Sequence, residues 1–93
     1  GRTMKHYLVI AMRRPGFDPA VVAPHLAYLD DLHARGLLAS AGGFADGTGG
    51  AYVLQGVDSL AEAQAIVDAD PLALTGSSDL AVHEWKLADR SGR

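Results

Sequence analysis

Tyr7-Leu8-Val9-Ile10-Ala11-Met12 decides how the rest of this chain is arranged. The run lacks the period-two alternation of a strand with one wet face. A strand that is apolar on both sides needs cover on both sides, which places this one in the middle of a sheet. Arg13-Arg14-Pro15-Gly16 follows and ends it with turn chemistry.

Beyond the turn, Asp18-Pro19 reads as an N-cap followed by proline at the first helical position. Pro24 then interrupts, because proline inside a helix removes a donor and clashes with the preceding turn. The pattern predicts a short turn over 19–22, a main helix from about Pro24, and a stop at Gly36. Leu37–Ala41 reads as a short strand, Gly42–Gly50 as a flexible glycine-rich loop, and Ala51–Gln55 as the next strand. Ser59-Leu60-Ala61-Glu62 is a capping box. Its helix runs to about Ala69, and Pro71 ends it, because the residue before proline avoids helical geometry. A connector over 72–78 leads to a last strand, Leu80–Leu87, and a tail.

The order β-α-β-β-α-β with right-handed crossovers gives an α+β, ferredoxin-like sandwich. Both helices cover one sheet face. The other face is uncovered in a single copy, so sheet-to-sheet pairing into a homodimer is expected, with higher assembly left open. The helices are expected to run roughly parallel.

The 93 residues suggest one domain, spanning 4–88. Gly1-Arg2-Thr3 precede Met4 and read as a cloning scar, and 89–93 as a tail. Hydrophobic residues make up 48%, which argues against disorder. A net charge of −3 supplies no basic footprint, so nucleic acid is not an expected partner. No apolar run is long enough to span a bilayer. The absence of cysteine excludes disulfides and thiolate chemistry and fits a cytoplasmic protein.

Two polar residues break the amphipathic pattern. With Leu29 as origin, Val22, His25, Leu26, Leu32, His33 and Gly36 share the core-facing arc of the first helix. In the second, Leu60, Ala63, Ile66 and Val67 form the apolar stripe, and Asp70 continues it if the last turn is regular. His25, in a first turn, sits at the positive end of the helix dipole, which favours neutral imidazole. A neutral imidazole is a competent general base, and Asp70 would orient it. Such a dyad has no nucleophile and suits proton transfer. The competing reading is a satisfied boundary histidine, with Asp70 merely capping the connector. Parallel helices would also hold the two about 15 Å apart at 1.5 Å per residue. An irregularity at Pro24, a tilted helix or a second subunit would have to close that gap.

Several stretches resemble the YCII-related family. They are Pro24-His25-Leu26 with Tyr28-Leu29, Gly36–Gly42, Phe44–Gly50, Asp58–Ala63, Ala69-Asp70-Pro71-Leu72 and Trp85. The resemblance covers nearly all of 4–87. It implies a dimeric α/β-barrel type of ferredoxin-like domain, similar in fold to muconolactone isomerases. One member is a dehydrochlorinase acting on a chlorinated hydroxyquinol. The family's candidate catalytic histidine and aspartate match His25 and Asp70. Gly43 stands where the family often has proline. Val22 and Ala23 occupy the region where it commonly has an arginine. Arg13 and Arg14 could replace that cation, against the simpler reading of solvated residues at a strand end.

The remaining constellations are weaker. The four histidines (His6, His25, His33, His83) show no metal-ligand spacing. The glycine run lacks the lysine and following helix of a phosphate loop, so it reads as a hairpin that borders a pocket. Trp85, Tyr52 and Tyr7 read as core or interface packing. The expectation is a homodimeric, cofactor-independent domain without a metal, acting on a small cyclic or aromatic metabolite by isomerisation or elimination. His25 and Asp70 are its expected catalytic pair, and Ser40, Gly42 and Phe44 its ligand contacts. A non-catalytic ligand-binding or interaction module is the alternative, and a purely structural dimer is a third.

Overall fold

The computed structural model, which describes residues 5–88, places the Tyr7–Met12 run inside strand β1 (His6–Arg13). The expected scar at 1–3 and tail at 89–93 lie outside the described residues. After β1 come a single 3-10 turn (Pro19–Val21), α1 (Val22–Ala34), β2 (Leu38–Gly43) and β3 (Gly49–Gln55). α2 (Leu60–Asp68), α3 (Pro71–Leu74) and β4 (Ser78–Trp85) complete the fold. The sheet order is β2-β3-β1-β4, with β1 antiparallel to both neighbours. The fold is the expected ferredoxin-like α+β sandwich with a central first strand.

Local signals explain the element ends. The Asp18 carboxylate accepts from the Ala20 N–H at 2.9 Å and Pro19 starts the 3-10 turn. α1 begins two residues before Pro24. Pro24 is thus its third residue, within the first turn, where N–H groups have no intrahelical partner to lose. At the other end Gly36 takes φ +74. Leu37 N–H then reaches Leu32 O, and Gly36 N–H reaches His33 O, a Schellman stop that only glycine enters without strain. Ser59 caps α2 through the Glu62 N–H at 3.2 Å.

Burial along β1 alternates rather than covering both sides. Tyr7, Val9 and Ala11 are buried under the helices, whereas Leu8 and Ile10 are only half-buried on the opposite face. That opposite face also carries exposed Met12 and Trp85. The core joins Tyr7 and Val9 to Leu29, Leu32, Leu54 and Val67. The apolar stripes are narrower than spacing predicts: Leu26, His33 and Leu60 are exposed. Among the described residues no helix is long and apolar enough to cross a membrane.

The parallel-helix expectation fails, and the sheet shows why. α1 returns against the direction of β1, and α2 against that of β3. β1 and β3 are antiparallel, so the helices are antiparallel too. The start of α1 and the end of α2 therefore lie at the same end of the sheet.

Candidate functional site

At that shared end the chain after α2 does not run straight into a connector. Ala69 and Asp70 turn, and Asp70 caps a separate short helix, α3. Pro71 at its first position needs no N–H donor there, and the Asp70 Oδ1 accepts from Leu72 N–H at 2.9 Å. This local role matches the simpler sequence reading of Asp70. The same carboxylate also faces α1, where His25 Nδ1 lies 2.9 Å from Oδ1 and 3.1 Å from Oδ2. Both residues come from one chain, and neither a second subunit nor a break at Pro24 is required.

A third element completes the carboxylate's surroundings. Tyr52 of β3 donates its phenol O–H to Asp70 Oδ2 at 2.8 Å. Asp70 is fully buried, while the His25 side chain is 15% exposed. A buried carboxylate needs such donors, since an unpaired buried charge is strongly destabilising. A carboxylate only accepts, so Nδ1 is the donor in this pair, and in a neutral imidazole Nε2, on the opposite edge of the ring, is then the nitrogen with the lone pair. Burial, then the Asp70 charge, holds the Tyr52 phenol well above its ordinary range. Tyr52 is therefore a fixed donor. The same two causes, in the same order, raise Tyr28, whose hydroxyl donates to Ile66 O at 2.6 Å. The His25 and Tyr52 rings lie 6.1 Å apart and tilted.

His25 lines a cavity of about 260 Å³. Its walls come from Val22, Leu26 and Leu29 of α1, the Ala41–Gly43 and Gly49–Tyr52 ends of β2 and β3, and Leu72. Arg13, Phe17 and Ser78 also contribute. The glycine segment is not a loose loop. Residues 42, 43, 49 and 50 are paired strand, and only 44–48 form the hairpin. A Cβ on Gly49 would run into the Ala11 carbonyl oxygen, so the close approach of the strands demands glycine there.

Of the expected ligand contacts, Gly42 lines the cavity and Ser40 and Phe44 do not. Ala41 pairs with Tyr52, which faces the helices, whereas Ser40 pairs with Val53 and so belongs to the opposite face. Phe44 lies past the strand end, in the hairpin. Tyr52 and Phe17 are the residues that sequence reading missed. Tyr52 looked like a packing aromatic, yet it pairs with Val9, which put its side chain on the helix-covered face. Arg13, read as solvated, is exposed but lies along the cavity wall. No group of three histidine or carboxylate side chains is placed to hold a metal ion among the described residues.

Comparison with known proteins adds to this geometry. The model of the YCII-related domain family matches residues 5–86. An uncharacterised protein of Bacillus subtilis (strain 168), YjpA, is 49% identical over 84 residues, covering 90% of this chain and 98% of that protein. Among solved structures, 5-chloro-2-hydroxyhydroquinone dehydrochlorinase from Burkholderia phenoliruptrix, in complex with 2,5-dihydroxybenzoquinone, matches with a TM-score of 0.72. It is 27% identical, and the match covers 89% of this chain and 95% of that one.

Proposed function

The chain belongs to the YCII-related domain family, and from that premise we propose that it is a cofactor-independent enzyme that moves a proton on a small cyclic or aromatic metabolite. One observation carries the reading. Asp70 is buried and held by Tyr52 and the α3 turn, and it lies within hydrogen-bond distance of Nδ1 of His25, a residue that lines the cavity. In this reading Nε2 is the base. His25 takes a proton from a carbon or hydroxyl of the ring. The electron pair then moves in one of two ways. It shifts a double bond, and the proton returns at another atom, or it expels a leaving group such as chloride. Neither balance needs an oxidant or reductant. Asp70 and Tyr52 are positioning residues that stabilise the imidazolium as it forms. Similarity to a dehydrochlorinase supports the elimination branch.

The test is chloride release or isomerisation across a panel of chlorinated hydroquinols and unsaturated lactones. His25→Ala should lower turnover by about 10²-fold or more, the usual contribution of a positioned base. Unchanged turnover in both His25→Ala and Asp70→Asn would remove the catalytic assignment and leave the ligand-binding module.

We also infer that two copies pair through the uncovered sheet face. Leu8, Ile10, Val53 and Trp85 form an apolar patch there with no cover from the helices. Sedimentation of Ile10→Asp against the parent chain tests this. The expected result is a shift from dimer to monomer.

A further inference from the structure

One charged side chain on the cavity wall has no role in the proton transfer proposed above. Side chains alternate along a strand, so Arg13 follows Tyr7, Val9 and Ala11 onto the helix-covered face of β1. It lines the cavity together with Phe17, and its guanidinium carbon sits 4.3 Å from the centre of the Phe17 ring. A guanidinium stacked on a ring has its orientation fixed, while its N–H donors point outward in its own plane. Among the described residues those donors have no other partner. Among the described residues no carboxylate pairs with Arg13, whereas neighbouring Arg14 lies 3.8 Å from Asp79 and Arg35 bonds Asp31. An unpaired cation, braced beside an apolar cavity, is a recognition element that lacks only its anion.

The field of the site gives that cation something to offset. Asp70 holds a buried negative charge just behind His25, and its effect reaches the phenols of both Tyr52 and Tyr28. An anionic ligand entering the cavity meets the same repulsion. Arg13 is the one permanently charged cation among the lining residues and offsets it. Size and shape narrow the ligand further. About 260 Å³ between leucine side chains and glycine backbone suits a single flat ring and is small for anything larger.

We propose that Arg13, braced on Phe17, is an anion-binding subsite, and that the ligand is a one-ring molecule bearing an ionised oxygen, such as a phenolate, enolate or carboxylate. The charged oxygen is held at the cavity mouth by Arg13 while the ring presents its labile proton to His25 Nε2. This inference rests on the cavity being the ligand site.

The experiment titrates the full chain with 2,5-dihydroxybenzoquinone, benzoate and the size-matched neutral benzamide, followed by amide chemical shifts and calorimetry. The parent chain should bind benzoate at least roughly tenfold more tightly than benzamide, the scale of one charge-assisted hydrogen bond. Added salt should shrink that preference, because Arg13 is exposed and its charge is screened. Arg13→Gln should bring benzoate down to the level of benzamide, Phe17→Leu should give an intermediate loss, and Arg14→Gln should change nothing. Equal binding of benzoate and benzamide, or an Arg13→Gln variant that keeps the preference, overturns the subsite and leaves the cavity reading standing. No binding of any of the three probes removes the cavity reading and the subsite with it.

Discussion

Asp-Pro occurs twice in this chain, at Asp18-Pro19 and at Asp70-Pro71, and the two copies do the same thing locally. Each aspartate has extended backbone, each proline opens a short helical turn, and each carboxylate accepts from the N–H two residues on at 2.9 Å. They differ in what surrounds them. Asp18 is exposed and serves only its own turn. Asp70 is fully buried and is also bonded by His25 and Tyr52. A local motif has thus become a site only where antiparallel helices and a neighbouring strand deliver two further donors.

Breaking the buried copy should have the largest effect. Asp70→Ala leaves a buried phenol and an imidazole N–H without an acceptor and removes the α3 cap, for a loss of about 3 kcal/mol or more in urea unfolding. Tyr52→Phe, which removes one donor and keeps the ring, should cost about 1–2 kcal/mol. Asp18→Ala, the same cap loss in the exposed copy, should cost about 0.5–1 kcal/mol. Comparable losses from Asp70→Ala and Asp18→Ala would mean that the bonds to His25 and Tyr52 contribute nothing.

Alkaline pH separates the copies as well, because only the buried one holds a tyrosine. The folded state raises the Tyr52 phenol above its unfolded value, so above about pH 10 the unfolded chain releases a proton that the folded chain keeps. The stability from this group is complete below the unfolded value and is lost as pH rises past it. The parent chain should lose about 1.4 kcal/mol per pH unit more than Tyr52→Phe does above that point. Parallel stability curves for the two proteins would contradict the Tyr52–Asp70 bond.

The same contrast marks where sequence reading succeeds. Caps and stops are encoded within a few residues, so Asp18-Pro19, Gly36 and Ser59 were legible, and the apolar run at Tyr7–Met12 was enough to centre β1. His25 and Asp70 were legible as misplaced polar residues. Their contact was not, because it depends on the relative direction of two helices, which strand pairing sets over long sequence separation. α3 has four residues, too short to show a helical period, so Asp70 looked like the end of α2 rather than the start of another element. Arg13 was legible as one of two candidate cations, but Tyr52's place beside Asp70 became visible only with register, since a strand residue's face follows from its neighbours across the ladder.

The central claim is that Asp70 leaves His25 with its proton on Nδ1 and its lone pair on Nε2. Nitrogen-15 NMR of the His25 ring, recorded above the histidine titration range, reads this directly. The account predicts a protonated Nδ1 and an unprotonated Nε2 in the parent chain, with the preference lost in Asp70→Asn. A proton found on Nε2 in the parent chain would contradict it, because Nε2 would then be a donor and not a base.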